Sequence, residues 1–168
     1  MHEIIFDNCV LSNFALSNSL ETLKKLYSGT ACITDFVAAE NMKGIMQGHE
    51  GLTSIRQALS EGWLKEITLK GRTEKRLFDS LSVSLGLGEA SSMAVARTRN
   101  YVFACDDRAA RREAGLLGIR LTGTVGILVK AVRSKIVNVR KADELLKVMM
   151  RNGFYSPVLS VREVLQGK

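Results

Sequence analysis

The sequence predicts an α/β fold, a three-layer α/β/α sandwich around a central parallel sheet. Two observations lead there. Short apolar runs, several of them apolar on both faces, alternate with amphipathic helical patterns along the whole chain, so the runs read as mid-sheet strands covered by helices. The bulk properties agree: 168 residues, 46% hydrophobic and with one proline, are enough for one globular domain with a sizeable core and do not suggest disorder.

The strands read as EIIF at 3–6, ACIT at 31–34, LKEITL at 64–69, YVFAC at 101–105 and IRLT at 119–122. Between them stand helical patterns with glycines at their edges. NSLETLKKLY at 18–27 opens with Asn18 and has Glu21 three residues on, a capping-box spacing. DFVAAENMKGIM, GLTSIRQALSEG, GRTEKRLFDSLSVSLG, LGEASSMAVARTR, DDRAARREAGLLG and GTVGILVKAVR follow. KADELLKVMMRNG and SVREVLQGK then form a C-terminal helical extension over about 141–168, separated by FYSPV with its proline. With no linker or repeat in view, residues 1–168 are expected to be a single domain.

Composition narrows the function classes. The longest uncharged run, Asn8 to Leu20, is thirteen residues rich in Ser and Asn, too short and polar to cross a bilayer. The start MHEIIF has an acidic residue and no basic leader, which speaks for a cytoplasmic protein. The three cysteines lie in or beside apolar runs and read as buried reduced thiols, and His2 and His49 complete no zinc pattern and read as incidental. The net charge of +7 is uneven: residues 1–96 hold 9 Lys+Arg against 11 Asp+Glu, whereas 97–168 hold 15 against 6. A basic half suits a polyanion such as nucleic acid, and equally a soluble surface.

The acidic residues carry more information. Asp7 ends IIF, and Asp106 with Asp107 ends VFAC, so both sites fall at C-terminal strand ends, along the edge where α/β folds build their sites. Glu40 follows Phe36 and Val37 at helical spacing, on the apolar face, and Glu89 leads Met93 and Ala96 from the first turn of its helix. Each has a structural explanation: amide hydrogen bonds for Asp7, an N-cap for Asp106 or Asp107, the helix dipole for Glu89. Together they would repel one another at one edge, and a hard cation such as Mg²⁺ or Mn²⁺ relieves that. Arg108, Arg111 and Arg112 share one helical face beside them, which reads as a phosphate-binding face or a solvated one.

In order and spacing, IIFDNCVLSNFA, LKKLYSGTACITDFVAAE, LGLGEASSMAVA and VFACDDRAARREAGLLGIRLTGTVGILVKA resemble a PIN domain over most of residues 4–132. The C-terminal GFYSPVLSVREVL is similar to the tail of a longer-chain prokaryotic subgroup. The resemblance implies a Mg²⁺- or Mn²⁺-dependent nuclease, most simply an endoribonuclease acting on single-stranded or structured RNA. It places Asp7, Glu40, Glu89 and Asp106 as catalytic and metal-binding acids, with Asp107 as the adjacent alternative to Asp106, and Asn8 and, more weakly, Ser12 as supporting residues. The implied chemistry is metal-assisted phosphodiester hydrolysis leaving a 5′-phosphate.

Many relatives are toxins held by a small antitoxin protein, and many form homodimers, so both are partners the resemblance implies, although this chain is longer than the compact toxins. The competing reading is a non-catalytic nucleic-acid or protein-interaction module on the same fold. GLGEAS lacks a third glycine and GTVGIL lacks a phosphate-loop lysine, which disfavours nucleotide binding.

Overall fold

The computed structural model describes residues 2–167. Five parallel strands, β1 (Ile4–Phe6), β2 (Ala31–Thr34), β3 (Leu64–Ile67), β4 (Val102–Ala104) and β5 (Leu121–Thr122), form one sheet in the order β3-β2-β1-β4-β5. Ile4 lies in register with Ala31 on one side and Val102 on the other. The chain builds outward from β1 to β3, then crosses back to β4. Strand order therefore reverses between β1 and β4, the position where open α/β sheets form a crevice at their carboxyl ends.

Two apolar layers sandwich this sheet, because successive strand residues point to opposite faces. Ile4, Phe6, Ile33 and Leu64 pack on one side with residues of α1 (Asn8–Leu16), α2 (Leu20–Tyr27), α4 (Thr53–Ser60), α8 (Thr124–Arg133) and α9 (Val139–Arg151). Ile5, Phe103 and Cys105 pack on the other with α5 (Gly71–Leu81), α6 (Leu87–Arg99) and α7 (Arg108–Leu116). The remaining helices are α3 (Asp35–Met46), which follows β2, and α10 (Val161–Leu165). In the extension, Ala142, Leu145, Leu146, Met149 and Val161 are buried in the first layer, so α9 and α10 dock on the sandwich.

The α3 and α6 helices span the stretches their periodicity predicts, while four strands are shorter than the stretches read for them. One helix has no counterpart in the sequence reading. The uncharged run after Asp7 is α1, whose Val10, Leu11, Phe14 and Ala15 are buried; burial, not the propensity of its Asn and Ser residues, holds it. The capping box at Asn18 is corrected as well. The α2 N-cap is Ser19, and Asn18 sits at φ 54 in the turn between α1 and α2, a left-handed conformation that asparagine tolerates. On the far side of the sheet, Arg99 of α6 donates Nε to Glu74 Oε1 at 2.7 Å and Nη2 to Glu74 Oε2 at 2.9 Å, tying α6 to α5. Among the described residues no helix is long and apolar enough to cross a membrane.

Candidate active site

The sheet edge collects acids from four elements. Asp7 stands at the end of β1, Asp106 just beyond β4, Glu40 on α3 and Glu89 in the first turn of α6. Asp7 is the most enclosed, with 4% of its surface exposed. Burial raises its proton affinity, and the charge of Asp106 adds to that, while the Cys9 thiol and the Asn8 and Cys9 amides pull it back. Burial also raises the Glu40 carboxyl, with the Asp7 charge contributing next. Glu89 is pushed up to about 7, by burial first and then by Asp7 and Asp107. These acids therefore act on one another across separations of up to 99 positions in the chain.

Each carboxylate is held by part of its hydrogen-bonding capacity. Glu40 Oε1 accepts the Gly88 N–H at 3.1 Å, and Glu89 Oε2 accepts the Gly86 N–H at 3.3 Å. Asp7 Oδ2 accepts from the Cys9 thiol at 2.9 Å, with the Cys105 thiol 3.9 Å away. Asp106 is the most firmly held. Its Oδ1 accepts the Thr124 N–H at 2.9 Å, and its Oδ2 accepts the Thr124 hydroxyl at 2.6 Å and Asn13 Nδ2 at 3.2 Å.

Asp106 and Asp107 have different surroundings. Asp107 is the exposed N-cap of α7, its Oδ1 accepting the Ala110 N–H at 2.9 Å. Asp106 is half-buried and faces Gly123, where a Cβ would lie 2.6 Å from its Oδ1. Glycine at 123 thus leaves room for the carboxylate against the start of α8.

A family model, DUF3368, described as a PIN domain, matches residues 3–167. The chain belongs to the PIN domain family. That family is one of metal-dependent nucleases. A crystal structure of PAE2754 from Pyrobaculum aerophilum is similar to this PIN domain, with a TM-score of 0.53 and 17% identity over 79% of this chain and 98% of that one. At that identity the likeness speaks to the fold. No curated protein matches the chain in sequence.

The acidic edge of this PIN domain lies between two cavities. One, of about 710 Å³, is lined by Asp106, Asp107, Arg108 and Arg111 together with Phe154 and Tyr155 of the segment after α9. The other, of about 410 Å³, is lined by Asn8, Ser12, Glu40, Lys43 and His49. Asn8 and Ser12 are one turn apart on α1, and Asn8 Oδ1 is a buried oxygen with no hydrogen-bond partner among the described residues. His49, which read as incidental, is an exposed member of this lining.

The three arginines differ from the single basic face that their spacing suggests. Arg108 and Arg112 are exposed, but Arg111 is half-buried and donates Nη1 to the carbonyls of Cys105 at 2.7 Å and Thr122 at 2.9 Å. It braces the ends of β4 and β5 beneath Asp106.

Four residues at the site escaped the sequence reading. Cys9 and Cys105, read only as buried thiols, lie with Asp7 in a group whose donor atoms fall within 4.8 Å of one another. The hydrogen bond with the facing Cys105 thiol, then burial and the Asp7 charge, raise the Cys9 thiol far above its ordinary range, so it is a hydrogen-bond donor to the carboxylate. Asn13 and Thr124 hold Asp106, with Asn13 Nδ2 also 3.0 Å from Thr124 Oγ1. Thr124 opens a helix just after β5, a polar start at the same sheet edge; nothing local marks the others.

Proposed function

We propose that this PIN domain is an endoribonuclease that hydrolyses RNA phosphodiesters at Asp7, Glu40, Glu89 and Asp106 with bound Mg²⁺ or Mn²⁺. The observation that carries this reading is the gathering of acids from separate elements at one partly buried sheet edge. Asp7, Glu40 and Glu89 all hold their protons more tightly than isolated carboxyls do, because they share a partly buried edge with like charges.

The residues fit a hard divalent cation. The acids offer oxygens, and Asn8 Oδ1, without a hydrogen-bond partner among the described residues, adds a neutral one beside Asp7. Asp7, Glu40, Glu89 and Asp106 would hold the ion, with Asp107 at the margin through the oxygen that does not cap α7. The Cys9 thiol is a protonated donor here and serves Asp7 as such. When bound, the cation supplies charge neutralisation at the phosphodiester and a lowered pKa for an attacking water.

The chain's own groups do the rest. Thr124 and Asn13 fix the direction of the Asp106 carboxylate, and the Gly88 N–H fixes Glu40. Glu89 Oε1, which has no hydrogen bond among the described residues, is the atom suited to orient the attacking water. Arg108 and Arg112 offer charge to the flanking phosphates.

The test is cleavage of labelled single-stranded and hairpin RNAs with Mn²⁺, Mg²⁺ or EDTA, comparing the wild type with Asp7→Asn. Cutting by the wild type alone, and only with metal, is the expected result. If neither protein cuts under any condition while both bind RNA equally, a binding module replaces the nuclease.

A further inference from the structure

The segment after α9 brings an aromatic ring to the acidic edge. Tyr155 is 81% exposed, yet it lines the same cavity as Asp106 and Asp107. The segment is tied down at several points. Gly153 turns the chain at φ 103, the Phe154 N–H donates to the Met149 carbonyl at 3.0 Å, and the half-buried Phe154 side chain packs on the core. Farther on, Ser156 Oγ donates to the Val158 carbonyl at 2.6 Å, and the Val161 N–H donates to Asp143 Oδ1 at 2.7 Å. The guanidinium of Arg108 lies 5.8 Å from the Tyr155 ring centroid. A large exposed aromatic on an anchored segment, with a cation beside it and a cavity of about 710 Å³ leading to the acids, is a recognition surface in search of a flat ligand.

We propose that Tyr155 is a stacking platform for an unpaired base of a single-stranded RNA, with Arg108 on the adjoining phosphate and the strand running from there to the carboxylate cluster. The identity of the strand rests on the nuclease reading above. Stacking on an aromatic side chain accepts any base, since every base has a π face, and a neighbouring arginine supplies the backbone charge. A base inside a duplex has both faces covered, so this platform selects single strands. The C-terminal extension thereby becomes part of the substrate track.

The test is binding of a fluorescein-labelled oligouridylate and of a blunt-ended duplex RNA without unpaired bases, followed by anisotropy in an Asp7→Asn background so that the RNA stays intact. Tyr155→Ala is expected to weaken oligouridylate binding by about 5- to 100-fold, the range for loss of one base–aromatic stack. Tyr155→Phe, which keeps the ring, is expected to bind as the parent does, and the duplex to be indifferent to either change. Equal oligouridylate affinity of Tyr155→Ala and its parent, or no oligouridylate binding by the parent, overturns the proposal. The two readings fail separately. Tyr155-dependent binding in a protein that cuts no RNA removes the nuclease and keeps the platform, whereas RNA cleavage with unchanged Tyr155→Ala affinity does the reverse.

Discussion

The N–H of Gly88 donates to Glu40 Oε1 at 3.1 Å, and a Cβ at position 88 would lie 2.5 Å from Glu40 Oε2. Helix α6 therefore sets the position of an acid on α3, and the missing side chain is what permits the contact.

Gly88→Ala follows directly. The group in the way is the far end of a flexible side chain, so the carboxylate of Glu40 shifts while the fold stays. Alanine favours a helix by about 1 kcal/mol over glycine, so thermal stability is expected to hold or rise slightly. Metal affinity and RNA cleavage are expected to fall about 10- to 100-fold, as for other losses of a ligand's support. Calorimetric titration with Mn²⁺ beside a melting curve checks this; unchanged metal affinity would contradict the role given to Gly88.

The second prediction concerns Thr124, which is fully buried and donates both its N–H and its hydroxyl to Asp106. Thr124→Val keeps the shape and the N–H but removes the hydroxyl, leaving one Asp106 oxygen with Asn13 alone. Stability should drop by about 1.5–3 kcal/mol, the net contribution of a hydrogen bond to a charged group. Cleavage should drop about 10- to 100-fold, and Thr124→Ser should restore most of it. Steady-state kcat/KM on a labelled RNA separates the three proteins, and a valine variant as active as the parent would refute the positioning role.

The third prediction is a pH dependence with a definite sign. Burial first, then the Asp7 and Asp107 charges, raise Glu89 from its ordinary 4.5 to about 7. Between those values the folded chain keeps a proton that the unfolded chain has lost, so this group's contribution to stability falls as pH rises from about 4.5 to about 7 and is level above. Glu74 has the opposite sign. Despite the opposing effect of its desolvation, Arg99, the Lys70 amide and Thr98 bring it down to about 2, so its contribution is lost as pH falls through that value. In EDTA the melting temperature should be lower at about pH 8 than at about pH 5.5, and Glu89→Gln should narrow that difference. Mn²⁺ should raise the melting temperature more at the higher pH. An identical pH slope in wild type and Glu89→Gln would remove Glu89 from the coupled cluster.

What the sequence determined by itself is what depends on neighbours along the chain. Short apolar runs mark β1, β2 and β4, helical periodicity marks α3 and α6, and an aspartate at the end of an apolar run places Asp7 and Asp106 at a strand terminus. These are local signals, because the period of the pattern sets which face a side chain takes. The α1 helix lacked one: its Asn and Ser residues favour caps and turns, and only burial of Val10, Leu11 and Phe14 against β1 makes it helical. The tertiary structure alone decided which distant groups meet. It gave Asp107 to the α7 cap and Asp106 to Thr124 and Asn13, turned Arg111 inward to the carbonyls of Cys105 and Thr122, set Cys105 beside Asp7 and carried Tyr155 to Arg108. Those pairings follow from strand order and from packing of the whole chain, in which the core energy is shared among many residues and no short stretch records its partner.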